Sequence, residues 1–120
     1  MRFEDFDAFC LSLPAASVVV QWGGAHVYKV GGKVFAIAGL NADDDLDKGY
    51  VFKTSEISFE VLTESGLARR APYLPRGGWL ALRSPDVLAE AELKAYITQS
   101  HSLVAAGLSK SERRRLGLPT

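Results

Sequence analysis

Apolar and polar positions alternate with two different periods along the chain, and each change of period marks a boundary between predicted helices and strands. Phenylalanine and leucine recur at helical spacing through residues 3–13, which predicts a first helix, and Pro14 predicts its end. β-branched and apolar runs then predict strands at residues 18–22, 26–30 and 33–38. Gly31-Gly32 favours a hairpin turn between the last two, because both positions of such a turn need a positive φ.

The second half of the chain repeats this order of elements after a polar, acidic loop at residues 41–48. Its predicted elements are a strand at residues 49–53, a helix at 56–65, extended segments at 69–74 and 79–83 across Pro75-Arg76-Gly77-Gly78, and a long helix at 88–107. A helix, strands and a Gly-Gly turn thus occur twice, in residues 3–39 and in residues 56–83. This repetition indicates an approximate internal duplication.

The apolar positions of the later helices predict which face of each packs on the core. In the second helix, Ile57, Val61 and Leu62 share one face. The predicted inner face of the long helix consists of Leu93, Tyr96 or Ile97, Ser100, Val104 and Leu108. Ser109 and Glu112 have the spacing of a capping box, which predicts a short basic tail helix within residues 109–120.

Together these elements predict an α+β fold in one domain that spans residues 1–120. The prediction is an antiparallel sheet of five to six strands with the first and long helices packed on it, and the second helix joins its halves. The length of 120 residues suits one hydrophobic core without a disulfide, and Cys10 has no second cysteine with which to form one.

Charge and motif content narrow the candidate functions. Lysine plus arginine and aspartate plus glutamate number 14 each, so no global field draws the protein to a polyanion or a membrane, and any nucleic-acid contact must be local. The longest apolar run, residues 34–40, is too short to cross a bilayer, and we expect a cytoplasmic protein. Nucleophile-elbow, phosphate-loop and zinc-protease motifs are absent from the sequence, so we expect no enzyme activity and no cofactor.

Several single residues are candidates for a chemical role, but a structural role is the better interpretation of each. Asp43, Asp45 and Asp47 imitate the start of a calcium loop, yet Lys48 and Thr54 stand where that loop needs glycine and glutamate, so we expect a polar turn and no metal. The remaining candidates, expected in or against the core, are Cys10, Tyr73, Trp79 and His101.

The sequence resembles the MmcQ/YjbR family of small bacterial proteins with a CyaY-like fold in the order and spacing of several short sequence motifs. The resemblance covers nearly the whole chain. Its motifs are Phe9-Cys10-Leu11-Ser12-Leu13-Pro14, Val27 to Ala36 across the hairpin, Phe52-Lys53-Thr54, Ala71-Pro72-Tyr73-Leu74 followed by Trp79, and Ser100-His101-Ser102-Leu103-Val104 ahead of Leu108-Ser109-Lys110. The chain departs from the family at His101, where members often have an aromatic residue, and in its acidic loop.

The resemblance implies a non-enzymatic protein that binds double-stranded DNA through two winged halves, each Gly-Gly hairpin forming one wing. The cations on or near these wings, which we expect to contact phosphates and to lie on one face, are Lys29, Lys33, Lys53, Arg69, Arg70, Arg76 and Arg83. The alternative is a protein-interaction or adaptor module, similar to a secretion chaperone, with a homodimer or protein partner and no nucleic-acid role. An exposed apolar patch would favour that alternative.

Overall fold

The computed structural model describes residues 1–43, 45–72, 74 and 78–120, and all structural statements concern these residues. Its elements, in chain order, are α1 (Phe3–Ser12), β1 (Ala16–Gln21), β2 (Ala25–Val30), β3 (Lys33–Ala38), β4 (Val51–Lys53), α2 (Glu56–Glu64), β5 (Ala68–Arg70), β6 (Trp79–Leu82), α3 (Glu90–Ala105) and α4 (Lys110–Arg115). None of these helices is long and apolar enough to span a membrane.

The strands form one six-stranded sheet in the order β1-β2-β3-β4-β6-β5, and every neighbouring pair is antiparallel. Strands β1 to β3 come from the first half of the chain and β4 to β6 from the second, so the halves meet at β3 and β4. The predicted α+β fold with an antiparallel sheet is therefore confirmed.

The helices lie on one face of this sheet, and aromatic side chains fill the space between. Phe6 of α1 stacks on Tyr50, which directly precedes β4, with ring centroids 4.2 Å apart. Phe52 of β4 points to the same face as Tyr50 and stacks on Tyr96 of α3. Cys10 is fully buried, and burial raises the pKa of its thiol well above the ordinary value of 9.0. The thiol stays protonated there, as expected of a cysteine that serves packing.

A buried serine joins the two central strands where their own pairing ends. Strands β3 and β4 pair at Ala36–Phe52 and Ile37–Val51. Beyond these pairs, the hydroxyl of Ser100 in α3 donates to the Phe35 carbonyl at 2.6 Å and accepts from the Lys53 backbone N–H at 2.8 Å. Ser100 is 0% exposed, so it replaces a strand-to-strand hydrogen bond in a place that water does not reach.

The predicted core face of α2 is wrong. Ile57 is 77% exposed and Val61 is 55% exposed, whereas Leu62 is buried and Phe59 is half-buried. The reason is that α2 packs mainly on β5, an edge strand of three residues, which covers only a narrow strip of the helix.

Two predicted strands also end earlier than expected. The segment predicted at 69–74 is a strand only over Ala68–Arg70. The segment predicted at 18–22 forms β1 over Ala16–Gln21, because Trp22 adopts a φ of 52° and leaves the extended conformation. Tyr73 and the turn residues Pro75, Arg76 and Gly77 lie outside the described residues.

Replacing Ser100 tests its part in the fold. Ser100→Ala leaves the Lys53 N–H and the Phe35 carbonyl buried without their partner, so we expect the free energy of unfolding to fall by about 1–3 kcal/mol in urea titrations. Ser102→Ala is the matched control, because Ser102 is exposed on the same helix, and it should change stability by less than about 0.5 kcal/mol. Equal effects of the two substitutions would contradict the bridging role.

Candidate functional site

The candidate site lies on the face of the sheet opposite α1 and α3, here called the open face. Residues directly opposite one another in an antiparallel ladder share a face. The strand register places one such row across the whole open face, from Val19 through Val27, Ile37, Val51 and Ala81 to Arg69. This row fixes which side chains of each strand point to the open face, and at its centre Val27, Ile37 and Val51 are themselves buried.

A long groove of about 780 Å³ runs along the open face, and it begins where the pairing of β3 with β4 ends. Lys33 and Val34 of β3 have no partner on β4, so Leu103 and Val104 of α3 line the groove at this point. The other lining residues include Trp22, Leu40, Lys53, Pro72, Leu74 and Trp79. The walls are therefore mainly apolar, with two indole rings and two ammonium groups.

A second groove of about 320 Å³ adjoins the long groove and shares Leu40, Asn41 and Pro72 with it. Three cationic side chains border this second groove, those of Lys48, Arg69 and Arg83. Lys48 belongs to the loop between β3 and β4, and its ammonium group lies 3.6 Å from a carboxylate oxygen of Asp45.

The structure brings four of the seven predicted cations to the open face. A fifth, Lys33, borders the long groove from the helical side, since it lies opposite the buried Val30 and its ammonium group contacts the Gly107 carbonyl at the end of α3. Lys33 and Lys53 line the long groove, Arg69 and Arg83 line the second groove, and Lys29 lies opposite Val34 in the register and shares its face. Of the carboxylates in the described residues, none lies within 4.0 Å of a charged nitrogen of these five side chains.

The other two predicted cations stand apart. Arg70 pairs with Leu80 on the helical face of the sheet, and its guanidinium lies 5.6 Å from the centroid of the Phe59 ring of α2. Arg76 lies outside the described residues. Adjacent residues of a strand point to opposite faces of the sheet, so the side chains of Arg69 and Arg70 in β5 lie on different faces.

The acidic side chains lie mainly on the helices and in the loop between β3 and β4. Those on α1, α2 and α3 are Glu4, Asp5, Asp7, Glu56, Glu60, Glu64, Glu90 and Glu92. In the acidic loop, Asp47 accepts a hydrogen bond from the Phe3 backbone N–H at 2.6 Å and lies 3.7 Å from Arg2, which ties the loop to the start of α1. The loop also borders the second groove through Asn41, Ala42 and Lys48, and α3 and α4 carry Lys94, Lys110 and Arg113 to Arg115, so both signs occur on both sides of the sheet.

His101 and Trp79 occupy the core positions predicted for them. His101 is 6% exposed, its Nε2 lies 2.7 Å from the Pro14 carbonyl oxygen, and its ring meets Phe35 edge-on. Trp79 is 8% exposed, although one side of it borders the long groove. In the described ranges, no three His, Cys, Asp or Glu side chains come together in an arrangement that could hold a metal ion.

The first hairpin turn has the predicted conformation, but its tip rests on the C-terminal part of the chain. Gly31 and Gly32 both have positive φ, 56° and 78°. A Cβ atom at Gly31 would lie 2.7 Å from Cδ1 of Leu108 and 3.2 Å from Cδ1 of Leu116, whereas one at Gly32 would meet nothing within 4 Å. One side of the tip is therefore covered and the other is open.

Sequence reasoning missed Trp22, Leu40 and Lys48 as parts of the site. Trp22 lies beside Gly23-Gly24 in a turn and is 51% exposed. A large aromatic residue next to turn glycines was the one feature of the sequence that could have indicated its place in the site. Leu40 ends the apolar run at residues 34–40 and Lys48 ends the polar loop at residues 41–48, and nothing in the sequence shows that these residues fold beside the sheet.

The fold defines a small α+β protein with one antiparallel sheet, and comparisons with known proteins place it in a family. The family model described as YjbR matches residues 11–103, so the chain belongs to the YjbR family. A crystal structure of Deinococcus radiodurans protein DR2400, with family-model domain DUF419, is similar with a TM-score of 0.83 at 23% identity, over 98% of this chain and 89% of that chain. No curated protein matches the chain.

The two glycines of the hairpin turn provide a test of how its tip is held. Alanine at either position keeps a positive φ and should cost about 1–2 kcal/mol for that reason. Gly31→Ala must also displace the Leu108 methyl group, so we expect roughly 1 kcal/mol of additional destabilisation relative to Gly32→Ala in urea unfolding. Equal costs would show that the tip does not rest on Leu108.

Proposed function

We propose that this protein binds nucleic acid, with double-stranded DNA as the ligand, and that phosphates lie against the open face of the sheet. The observation that carries the proposal is that Lys29, Lys53, Arg69 and Arg83 lie on this one face and Lys33 borders its long groove, with no carboxylate of the described residues within 4.0 Å of their charged nitrogens. The proposed protein is a bacterial, cytoplasmic binding protein without catalytic activity.

The local arrangement of the cations matters more for this function than the net charge. Binding to DNA gains free energy when cations neutralise phosphates and release condensed counterions, and this gain depends on the cations that reach the backbone. Five cations without a described carboxylate partner are available for such contacts. Phosphate contacts carry no sequence information, so we expect binding with little sequence preference.

In the proposed complex, the two winged halves contact DNA through strand residues and not through their tips. Lys29 and Lys33 flank the turn of the first hairpin, and Arg69 and Arg83 lie on or next to β5 and β6. Gly31 at the first tip is covered by Leu108, which limits how far that tip could enter a groove of DNA. The proposal leaves out Arg70, because its side chain lies over Phe59 on the helical side.

Arg69 and Arg70 form a matched pair for the test, because they are adjacent, equally charged and both exposed. Binding of a short fluorescent duplex would be measured by anisotropy between about 50 and 200 mM salt. We expect Arg69→Gln to weaken binding and to reduce the slope of log affinity against log salt by about 0.9, the value for one lost phosphate contact. Arg70→Gln should leave the slope unchanged.

Two results would contradict the proposal. Equal losses in both variants would mean that charge alone, and not the open face, determines binding. An absence of binding by the native protein at low salt would remove nucleic acid as the ligand.

A second candidate function rests on the edge strand β1. We propose that β1 pairs antiparallel with β1 of a second copy, which would join two sheets into one. Val19 is 42% exposed and Val20 is 60% exposed, and the strand Ala16–Gln21 contains no charged residue or proline. Edge strands normally carry such residues to prevent pairing with another chain, so their absence from β1 favours self-association.

Val20→Lys tests this pairing, since a lysine on each copy would place like charges near one another. We expect light scattering to show a dimer for the native protein and a monomer for Val20→Lys. Ile57→Lys is the control, because Ile57 is an exposed apolar residue on α2, and this variant should remain a dimer. A native protein that is monomeric at every concentration tested would exclude this function.

A further inference from the structure

From the long groove we infer a binding site for a small organic anion with a flat, apolar body. This inference goes beyond the proposed function, because it concerns a small ligand and holds whether or not the protein binds DNA. The groove has the size of known small-molecule sites, which measure about 300–1,000 Å³, and its volume is about 780 Å³. Its mainly apolar walls with few polar groups also match such sites.

The two lysines determine the charge of the ligand. The ammonium group of Lys33 lies 3.5 Å from the carbonyl oxygen of Gly107, at the end of α3, and it has further N–H donors that this contact does not use. Lys53 lies directly opposite Trp79 in the β4–β6 register, so the side chain of Lys53 and the indole of Trp79 lie on the same side of the groove. With no carboxylate of the described residues within 4.0 Å of either ammonium group, both are available to an acidic group of a ligand.

The aromatic residues determine the shape of the ligand body. Trp22 and Trp79 both line the groove, and indole faces pack well on flat, apolar rings. Trp22 is half exposed and has a φ of 52°, a conformation that is unfavourable for a bulky residue. An unfavourable backbone conformation at a residue that is not part of the core is characteristic of ligand sites, and Trp22 has both properties.

The groove lies next to the point where β3 and β4 stop pairing. Ser100 links Phe35 to Lys53 at this point through two buried hydrogen bonds and thereby anchors α3, whose Leu103 and Val104 line the groove. The elements that form this part of the groove are thus connected to one another by buried hydrogen bonds.

Anilinonaphthalene sulfonate, a flat aromatic anion, is a suitable probe, and its uncharged relative phenylnaphthylamine is the matched comparison. We expect one sulfonate probe to bind per native chain, with fluorescence transfer from tryptophan. Lys33→Gln and Lys53→Gln should each weaken binding of the sulfonate by about ten-fold, because each removes a charge-assisted contact, and should change binding of the uncharged probe by less than about two-fold. Lys94→Gln, on the helical side, should change neither.

Trp22→Asn separates binding from folding. Asparagine tolerates a positive φ, so this variant should unfold at the same or a higher temperature than the native protein while it binds both probes more weakly. The inference is overturned if the native chain binds neither probe, if several sulfonate molecules bind per chain, or if the lysine variants bind the sulfonate as tightly as the native protein does. Failure of DNA binding alone would leave the inference standing, because these probes contain no nucleic acid.

Discussion

The architecture of the open face depends on one buried side chain, the hydroxyl of Ser100. A hydroxyl can donate one hydrogen bond and accept others, so it can satisfy a carbonyl on one strand and an N–H on the next at the same time. Ser100 does this for Phe35 and Lys53 in a fully buried position. The two halves of the sheet are thereby joined through α3 where their direct pairing ends, and the long groove lies next to this point.

The two faces of the sheet then have different chemistry. The helical face is closed by stacked aromatic residues, of which Phe6 and Tyr50 are the tightest pair, and the outer sides of the helices carry most of the acidic groups. The open face has cations of both halves and two grooves that share Leu40, Asn41 and Pro72. Five cations on or beside this face have no carboxylate of the described residues within 4.0 Å, and such groups suit anionic ligands of either size.

The sequence predicts much of the fold because local periodicity and turn chemistry agree. The helical spacing of the phenylalanines in α1 and the Gly31-Gly32 turn each identify their element within a residue or two. The exposed face of α2 was not predictable, because the apolar Ile57 and Val61 have the spacing of core residues. Only the short partner strand β5 explains why they remain in solvent.

The candidate site was less accessible to sequence reasoning than the fold. The alternation of a strand could have separated Arg69 from Arg70, since their side chains must point to opposite faces. The role of Ser100 could not be predicted, because its partners lie 65 and 47 positions away along the chain. Likewise, Trp22 and Lys48 reach the open face only through the way their loops fold back on the sheet.

The central claim is that the open face is where the protein meets its anionic ligand. Nuclear magnetic resonance of the isotope-labelled protein, titrated with a short DNA duplex at low salt, tests this claim most directly. The account predicts that the backbone signals of Lys33, Lys53, Arg69 and Arg83 shift together, while those in α1 and α2 stay in place. Shifts confined to the helices, or spread evenly over the chain, would contradict it.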